Sequence, residues 1–453
     1  MRCAVRSLWY VVRKSDLRIK VRCIKIRGRT TNIESRTTRW GDGLRILVQK
    51  FGGTSVATAE RRNQVASKVS EAIRGGYSLV IVVSAIGRFG DPYATDTFLA
   101  MVKEISSDLP KRELDLLMSC GEVISGTILV STLNSLGFEA VLLTGGQAGI
   151  ITDKEFGDAR IVRVEQGAIL EQLAQGKVVV VAGFQGMTED GQITTLGRGG
   201  SDTTASALGV ALEAEAIDIY TDVDGIMTAD PRIVEDARIL DTITYNEICQ
   251  LAYLGAKVIH PRAVEIAMQR NIPLRIKSTF SDAPGTLVTN MHPERRAGTD
   301  ITTDRIITGI AHTPNVTQLR VLTGDIQDKR LTYKRIFKAM ALADISVDFI
   351  SVQPEAVLYT VRDEVASKAI NILQNMGFEP GVVPSCAKVS IVGAGIAGVP
   401  GVMADLVEAL SDAAVTILQS ADSHTTIWVL VHKEDMVTAV QTLHQKFRLG
   451  ILM

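Results

Sequence analysis

Ile46-Leu47-Val48-Gln49-Lys50-Phe51-Gly52-Gly53-Thr54-Ser55-Val56 is a short apolar run that ends in a glycine pair, and a long helical pattern, Ala59–Arg74, follows it. Two adjacent glycines let the backbone approach a bound group and aim successive N–H donors at one point. Thr54 and Ser55 add hydroxyls, and the positive end of the following helix favours an anion there. Lys50 puts an ammonium at the carboxyl end of the strand, where ligands sit in open α/β sheets. The stretch reads either as a phosphate cradle or as an ordinary strand-to-helix turn with a solvated lysine. It is not a P-loop, because the lysine precedes the glycines and no G-x-x-x-x-G-K-[ST] occurs in the chain.

A second stretch, Thr194-Thr195-Leu196-Gly197-Arg198-Gly199-Gly200-Ser201-Asp202-Thr203-Thr204, again sets glycines and hydroxyls before a helical pattern. Arg198 and Asp202 stand four apart in it. The two-pronged guanidinium of Arg198 suits a carboxylate, and Asp202 suits an ammonium such as that of Lys50. Between and beyond these motifs, β-rich runs at 78–83, 139–143, 177–182, 216–221 and 273–276 alternate with helical patterns at 112–136, 163–174 and 245–254. Such alternation predicts a mostly parallel sheet covered by helices on both faces.

Lys-Phe-Gly-Gly-Thr-Ser and Gly-Arg-Gly-Gly-Ser-Asp, in this order, resemble the signatures of the aspartokinases, members of the amino-acid kinase family. The resemblance continues through Ser119-Cys120-Gly121-Glu122, Thr221-Asp222-Val223-Asp224-Gly225, Thr228-Ala229-Asp230-Pro231-Arg232 and Gly255-Ala256-Lys257, and covers the chain from about Leu44 onward. It implies phosphorylation of the β-carboxylate of L-aspartate by ATP, with Mg2+ accompanying the nucleotide and no permanently bound cofactor. It further implies that Lys50 and Asp202 are catalytic, and that Ser84, Thr95, Glu122, Arg198 and Ser201 bind the substrate, Glu122 through its α-ammonium. Lys50, Gly52, Gly53, Thr54, Ser55, Gly199, Gly200, Thr221, Asp222, Asp230, Arg232 and Lys257 would surround the nucleotide. Two departures stand out. Arg88-Phe89-Gly90-Asp91-Pro92-Tyr93-Ala94 lengthens the loop before Thr95, and Met227 stands where the family often has tyrosine.

Beyond the linker at 290–304, a strand–helix–strand–strand–helix pattern occurs twice, which is ferredoxin-like. It resembles paired ACT domains, which bind free amino acids between neighbouring copies. By that resemblance an amino-acid effector would lie near Asp348, Gln419 and Asp422, and the domains would pair chains into a homodimer or higher homo-oligomer. Details of the loops resemble the diaminopimelate-inhibited class. Gly393-Ala394-Gly395-Ile396-Ala397-Gly398 imitates a dinucleotide fingerprint. Too little chain follows for two mononucleotide-binding halves, and the order of elements is wrong for a continuing parallel sheet, so we read it as the turn opening the second ACT repeat.

The expected organisation is a basic, disordered extension over 1–44, a kinase domain over 45–290, and ACT domains over 303–378 and 384–453. Of 453 residues, 46% are hydrophobic, ample for a large core, and a net charge of −1 argues against general nucleic-acid binding. Residues 1–44 hold 12 Lys/Arg against 3 Asp/Glu, a net of +9, so 37 against 47 leaves −10 for the rest. The segment lacks the apolar core of a secretory signal; an upstream start or a tail fits it better than an Arg-rich transit peptide. No uninterrupted apolar run approaches the ~18 residues of a membrane span, and five scattered cysteines without C-x-x-C fit a reducing, cytoplasmic compartment and no protein-held metal. Two other functions share this pattern: a different carboxylate or carbamate kinase, disfavoured by the Glu122–Arg198 zwitterion clamp, and a non-catalytic amino-acid sensor, disfavoured by the intact Lys50 and Asp202.

Overall fold

Ile46–Phe51 lies at the centre of an eight-stranded sheet, and its two apolar faces are the reason. Leu47 and Phe51 enter one helical layer while Ile46 and Val48 enter the other. A strand covered on both sides needs no polar face. It pairs in parallel with Ser78–Val83 and Ala216–Thr221, so that Lys50 is level with Val82 and Ile219. Val178–Ala182 and Ala140–Leu143 extend one side, also in parallel. Leu274–Ser278, Thr286–Thr289 and Thr242–Thr244 extend the other, where one neighbouring pair is antiparallel. Helices Ala59–Arg74 and Lys111–Ser135 cover one face; Gly167–Ala174, Gly200–Ala211, Tyr245–Tyr253 and Pro261–Gln269 cover the other. The expected α/β kinase architecture is the one observed. This computed structural model describes residues 44–106, 108–256, 258–290, 306–324, 328–396 and 398–451, so the expectation for the basic extension falls outside the described residues.

Lys111–Ser135 is, among the described residues, the one helix long and apolar enough to cross a bilayer. Here it is a core helix: Leu129 and Leu133 pack beneath the sheet, and Asp115 and Glu122 are buried with it. The helical pattern at 163–174 divides into a strand, Ile161–Val164, and a helix, Gly167–Ala174. That strand pairs antiparallel with Ile150–Thr152 in a separate four-stranded sheet completed by Gln185–Thr188 and Ile193–Thr195. Strands this short carry too few residues for a period to show.

The helix expected from Ala59 to Arg74 is observed with those bounds, capped by Thr58, but Gly53–Val56 forms a single 3-10 turn before it. The helix dipole is therefore displaced from the glycines by that turn.

The C-terminal region is a six-stranded antiparallel sheet. Its two middle strands, Gly309–Leu322 and Gly381–Val392, are each longer than expected: two strands expected at 306–311 and 316–322 are one continuous strand from Gly309, and the later strand, expected at Lys388, begins at Gly381. They run past each other, Gly309 opposite Val392 and Arg320 opposite Gly381. The early half of each strand therefore serves the other repeat. Gly309–Pro314 completes the sheet of Thr426–His432 and Gln419–Asp422, while Gly381–Val383 completes that of Ala356–Arg362 and Asp348–Val352. Where they cross, Asn315 and Ser385 hold positive φ (62° and 53°) and the register slips. The sheet bends there, and Gln419 on one edge donates to the carbonyl of Phe349 on the other at 2.7 Å.

Gly393 follows the second long strand at a point where a Cβ would lie 2.0 Å from the Ile306 carbonyl oxygen. The strand it leaves has antiparallel neighbours on both sides. The glycine-rich stretch thus leads to the helix Val402–Asp412 without any parallel crossover.

Candidate active site

Lys50 is the one partly exposed residue in an otherwise buried strand. Its Nζ lies 2.7 Å from Oδ1 of Asp202, which sits in the first turn of Gly200–Ala211; both side chains are nearly buried, at 13% and 12%. Strand order brings them together: that helix packs on Ile46–Phe51. Gly52 and Gly53 follow directly. A Cβ on Gly53 would stand 2.3 Å from the Ala85 carbonyl oxygen and 2.9 Å from that of Gly87, so only glycine fits. The Gly87 N–H donates to the Gly53 carbonyl at 3.2 Å. The turn Ser84-Ala85-Ile86-Gly87 is thereby bound to the glycine pair, with the Ser84 N–H on the Phe51 carbonyl. Thr54 lines a cleft of about 320 Å³ with Arg61, Gly87, Arg88, Asp222 and Phe280. Ser55 points the other way: its hydroxyl is buried against that of Thr279 at 2.7 Å.

Glu122 is 2% exposed within Lys111–Ser135. Its Oε1 accepts the Ala85 N–H at 3.0 Å, and its buried Oε2 has no partner among the described residues. Burial pushes this carboxyl up to about 8, outweighing the backbone hydrogen bonds that favour its ionised form. A buried acceptor left open in this way is a ready seat for a cation. Thr95, half-buried, begins the helix Thr95–Lys103, which packs on Lys111–Ser135 where a Cβ at Gly121 would touch Phe98 and the Tyr93 carbonyl.

Arg198 is held on the outside of a turn by two left-handed glycines, Gly197 (φ 72°) and Gly199 (φ 67°). The imidazole of His260 fills the place a Gly199 Cβ would take, and Phe184 fills that of Gly200. With its guanidinium exposed, Arg198 lines a second, wider cleft of about 730 Å³ beside Arg160, Tyr253, His260, Arg262 and Glu265. Ser201, buried, starts the helix beside Gly183. Sequence patterns did not single out Asp115, which supports this loop from below. Its carboxylate accepts the Thr195 N–H (2.8 Å), the Thr195 hydroxyl (2.7 Å) and the Gly157 N–H (3.0 Å). The signal available was an acid within an apolar helical face.

Thr221 ends the strand next to Lys50's, and its hydroxyl donates to Asp222 at 3.2 Å. Asp222 also accepts from Arg88 across the smaller cleft at 2.7 Å. Asp230 and Arg232 are paired with each other, at 2.7 Å, away from that cleft; the Arg232 guanidinium holds the Asp230 carboxyl below its ordinary range. Lys257 lies outside the described residues. The segment bearing Asp230 is gripped by the C-terminal region: Thr228 bonds the buried His444 at 3.0 Å, and Ile233 accepts from Gln441 at 2.8 Å. Nearby, Glu247 is buried and accepts from Thr308 and from the Ala394 N–H. Burial alone would raise its carboxyl, but the Thr244 and Thr308 hydroxyls outweigh it and hold it down.

In the C-terminal sheet, Asp348 forms an ion pair with Lys388, and its Oδ1 accepts the N–H of the left-handed Phe349 at 2.8 Å. Gln419 accepts from Gln318 at 2.8 Å while donating to Phe349. The fold therefore brings Asp348 and Gln419 together over the small apolar cluster of Val316, Phe349, Cys386 and Leu430. Asp422 is exposed at its strand's end.

Residues 45–278 match the amino acid kinase family, and residues 381–445 match an ACT domain. Aspartokinase 1 of Bacillus subtilis is 53% identical over 407 residues, 90% of this chain and 100% of its own length. The aspartokinase of Geobacillus stearothermophilus is 42% identical over 89% of this chain and 98% of its own. Among solved structures, E. coli aspartokinase III in complex with aspartate and ADP superposes with a TM-score of 0.71 at 26% identity, covering 88% of this chain and 99% of that one. The same enzyme with lysine and aspartate gives 0.70 at 26% identity, covering 89% and 99%.

Proposed function

The chain belongs to the aspartokinases of the amino acid kinase family, which phosphorylate aspartate at the entry to the aspartate pathway, and from that premise we propose how its residues act. The substrate β-carboxylate, already ionised at neutral pH, attacks the γ-phosphorus of ATP in line. A carboxylate O–P bond forms, the bond from the γ-phosphorus to the β,γ-bridging oxygen breaks, and ADP leaves. No general base is needed, so catalysis consists of positioning and charge stabilisation. Lys50 neutralises charge on the phosphoryl group in flight, and Asp202 holds the lysine. Gly52, Gly53 and Thr54 offer their backbone to the phosphates, while Ser55 pins the turn to Thr279. Thr221 and Asp222 flank the nucleotide, with Gly199, Gly200, Asp230, Arg232 and Lys257 assigned to the same ligand by resemblance. Mg2+ arrives with ATP as part of the substrate.

The observation that carries the substrate assignment is the open, buried Oε2 of Glu122. An α-ammonium placed there satisfies it, and Arg198, with Ser84, Thr95 and Ser201, takes the α-carboxylate end. A phosphotransfer assay across aspartate, succinate and β-alanine tests this: activity must require both the ammonium and the α-carboxylate. Equal turnover of succinate overturns the role of Glu122.

An end-product amino acid at Asp348, Gln419 and Asp422 would regulate the enzyme, in a homodimer or higher oligomer joined through the C-terminal sheets, and the chain would work in the cytoplasm where ATP and aspartate are held. The lysine complex of the E. coli relative supports an amino-acid effector. Meso-diaminopimelate is our first choice; inhibition curves with it, lysine and threonine decide among the three branches.

A further inference from the structure

We propose that Arg88, in the lengthened loop after the second strand, binds the nucleotide's phosphates and that Asp222 is only its resting partner. The proposal rests on the nucleotide reading of the smaller cleft and assigns a residue that no signature motif supplies.

Position is the first argument. Arg88 immediately follows Gly87, whose N–H is bonded to Gly53 and whose carbonyl occupies the space beside it. The side chain therefore springs from the wall of the glycine turn itself. It reaches across the cleft to Asp222 at 2.7 Å, passing over the space that Thr54 lines.

Rigidity is the second. The inserted residues are not slack. The Asp91 carboxylate accepts the Arg88 N–H at 2.8 Å, the Asp91 N–H returns to the Arg88 carbonyl at 2.9 Å, and the Gly90 N–H reaches Thr97 at 3.1 Å. Gly87 itself is left-handed (φ 86°), and Asp91 fills the place of its missing Cβ. A loop bonded to itself in this way presents Arg88 from a fixed base.

Competition is the third. The Arg88–Asp222 pair is exposed, at 71% and 45%, and such pairs are weak. A polyphosphate carries more charge and offers a guanidinium two oxygens in its own plane. Arg61, the other cation lining the cleft, is already committed to the Thr54 carbonyl at 2.8 Å and lies over the Phe280 ring. Arg88 is thus the cation able to change partners when phosphate enters.

Calorimetric titration of the full chain with ADP plus Mg2+, and separately with AMP, tests this. Arg88→Ala should weaken ADP roughly tenfold to a hundredfold, the worth of one charge-assisted contact, and leave AMP and the melting temperature unchanged. Arg88→Lys should fall between, and in turnover the KM for ATP should rise while that for aspartate stays. Unchanged ADP affinity, or equal loss for ADP and AMP, overturns the assignment. Lys50→Met run in parallel separates the two levels: if it weakens ADP and Arg88→Ala does not, only Arg88 is misassigned. If neither variant alters ADP affinity, or the wild type does not bind ADP, the nucleotide reading of the cleft falls and Arg88 with it.

Discussion

Lys50 Nζ and Asp202 Oδ1 stand 2.7 Å apart in a nearly buried pair that ties the central strand to the helix of the second glycine motif. A single close contact thus joins two motifs roughly 150 residues apart in the chain. Its partners are shielded from water, so removing one strands the other, at a cost of about 3–5 kcal/mol for a fully buried pair.

Lys50→Ala should lower turnover by about 10²–10³-fold, the usual loss for one charge-stabilising group, and should lower the melting temperature as Asp202 loses its partner. Steady-state phosphotransfer beside circular dichroism checks both. A folded variant with undiminished turnover removes Lys50 from the mechanism.

Glu122, with its carboxyl raised from 4.5 to about 8, binds a proton that the unfolded chain does not hold between those values. Its contribution to stability is therefore complete below pH 4.5 and is lost as pH rises toward 8. Glu122→Gln should flatten the pH dependence of denaturant midpoints across that window. A slope unaltered by the substitution shows that the carboxyl titrates normally.

The same group should release a proton when substrate arrives, because an α-ammonium beside Oε2 favours the carboxylate. Aspartate binding near pH 7, measured calorimetrically in buffers of different ionisation enthalpy, should release up to about one proton. Glu122→Gln should abolish the release. Binding without any buffer dependence places the ammonium elsewhere.

Arg198→Lys should raise the KM for aspartate about tenfold, since a point charge replaces a two-pronged donor, with the KM for ATP unchanged. Should only the ATP term move, Arg198 belongs to the phosphates instead.

Asp348→Asn keeps the acceptor that meets the Phe349 N–H but removes the charge paired with Lys388. Feedback inhibition should weaken, within the roughly 1–3 kcal/mol typical of such coupling, while uninhibited activity stays as it was. An inhibition curve superimposable on the wild type's locates the effector elsewhere.

Much of this architecture could be read from local patterns. Apolar strands such as Ser78–Val83 and Ala216–Thr221 announce themselves by length and composition, and the two glycine motifs mark the ends where ligands gather. What stayed hidden depends on distant pairing. Ser55 looks like a cradle hydroxyl until the chain brings Thr279 to it. The residues between the glycine pair and Ala59 carry no periodic signal, and the turn they make is 3-10 because its Ser55 N–H returns to the Gly52 carbonyl. Asp115 is a plain charge in sequence and gains meaning only from Thr195, and the pairing of Asp348 with Lys388 is equally invisible there.

The exchange of half-strands between Gly309–Leu322 and Gly381–Val392 bears on how the chain is made. As the protein leaves the ribosome, Gly309–Pro314 emerges long before its partners in the last repeat exist. That edge must wait, unpaired, through synthesis of everything up to Val392, at a time when the kinase domain is already complete. Until Val392 is made, the side of the segment that it will cover presents an open strand edge, the kind of edge that pairs with other strands.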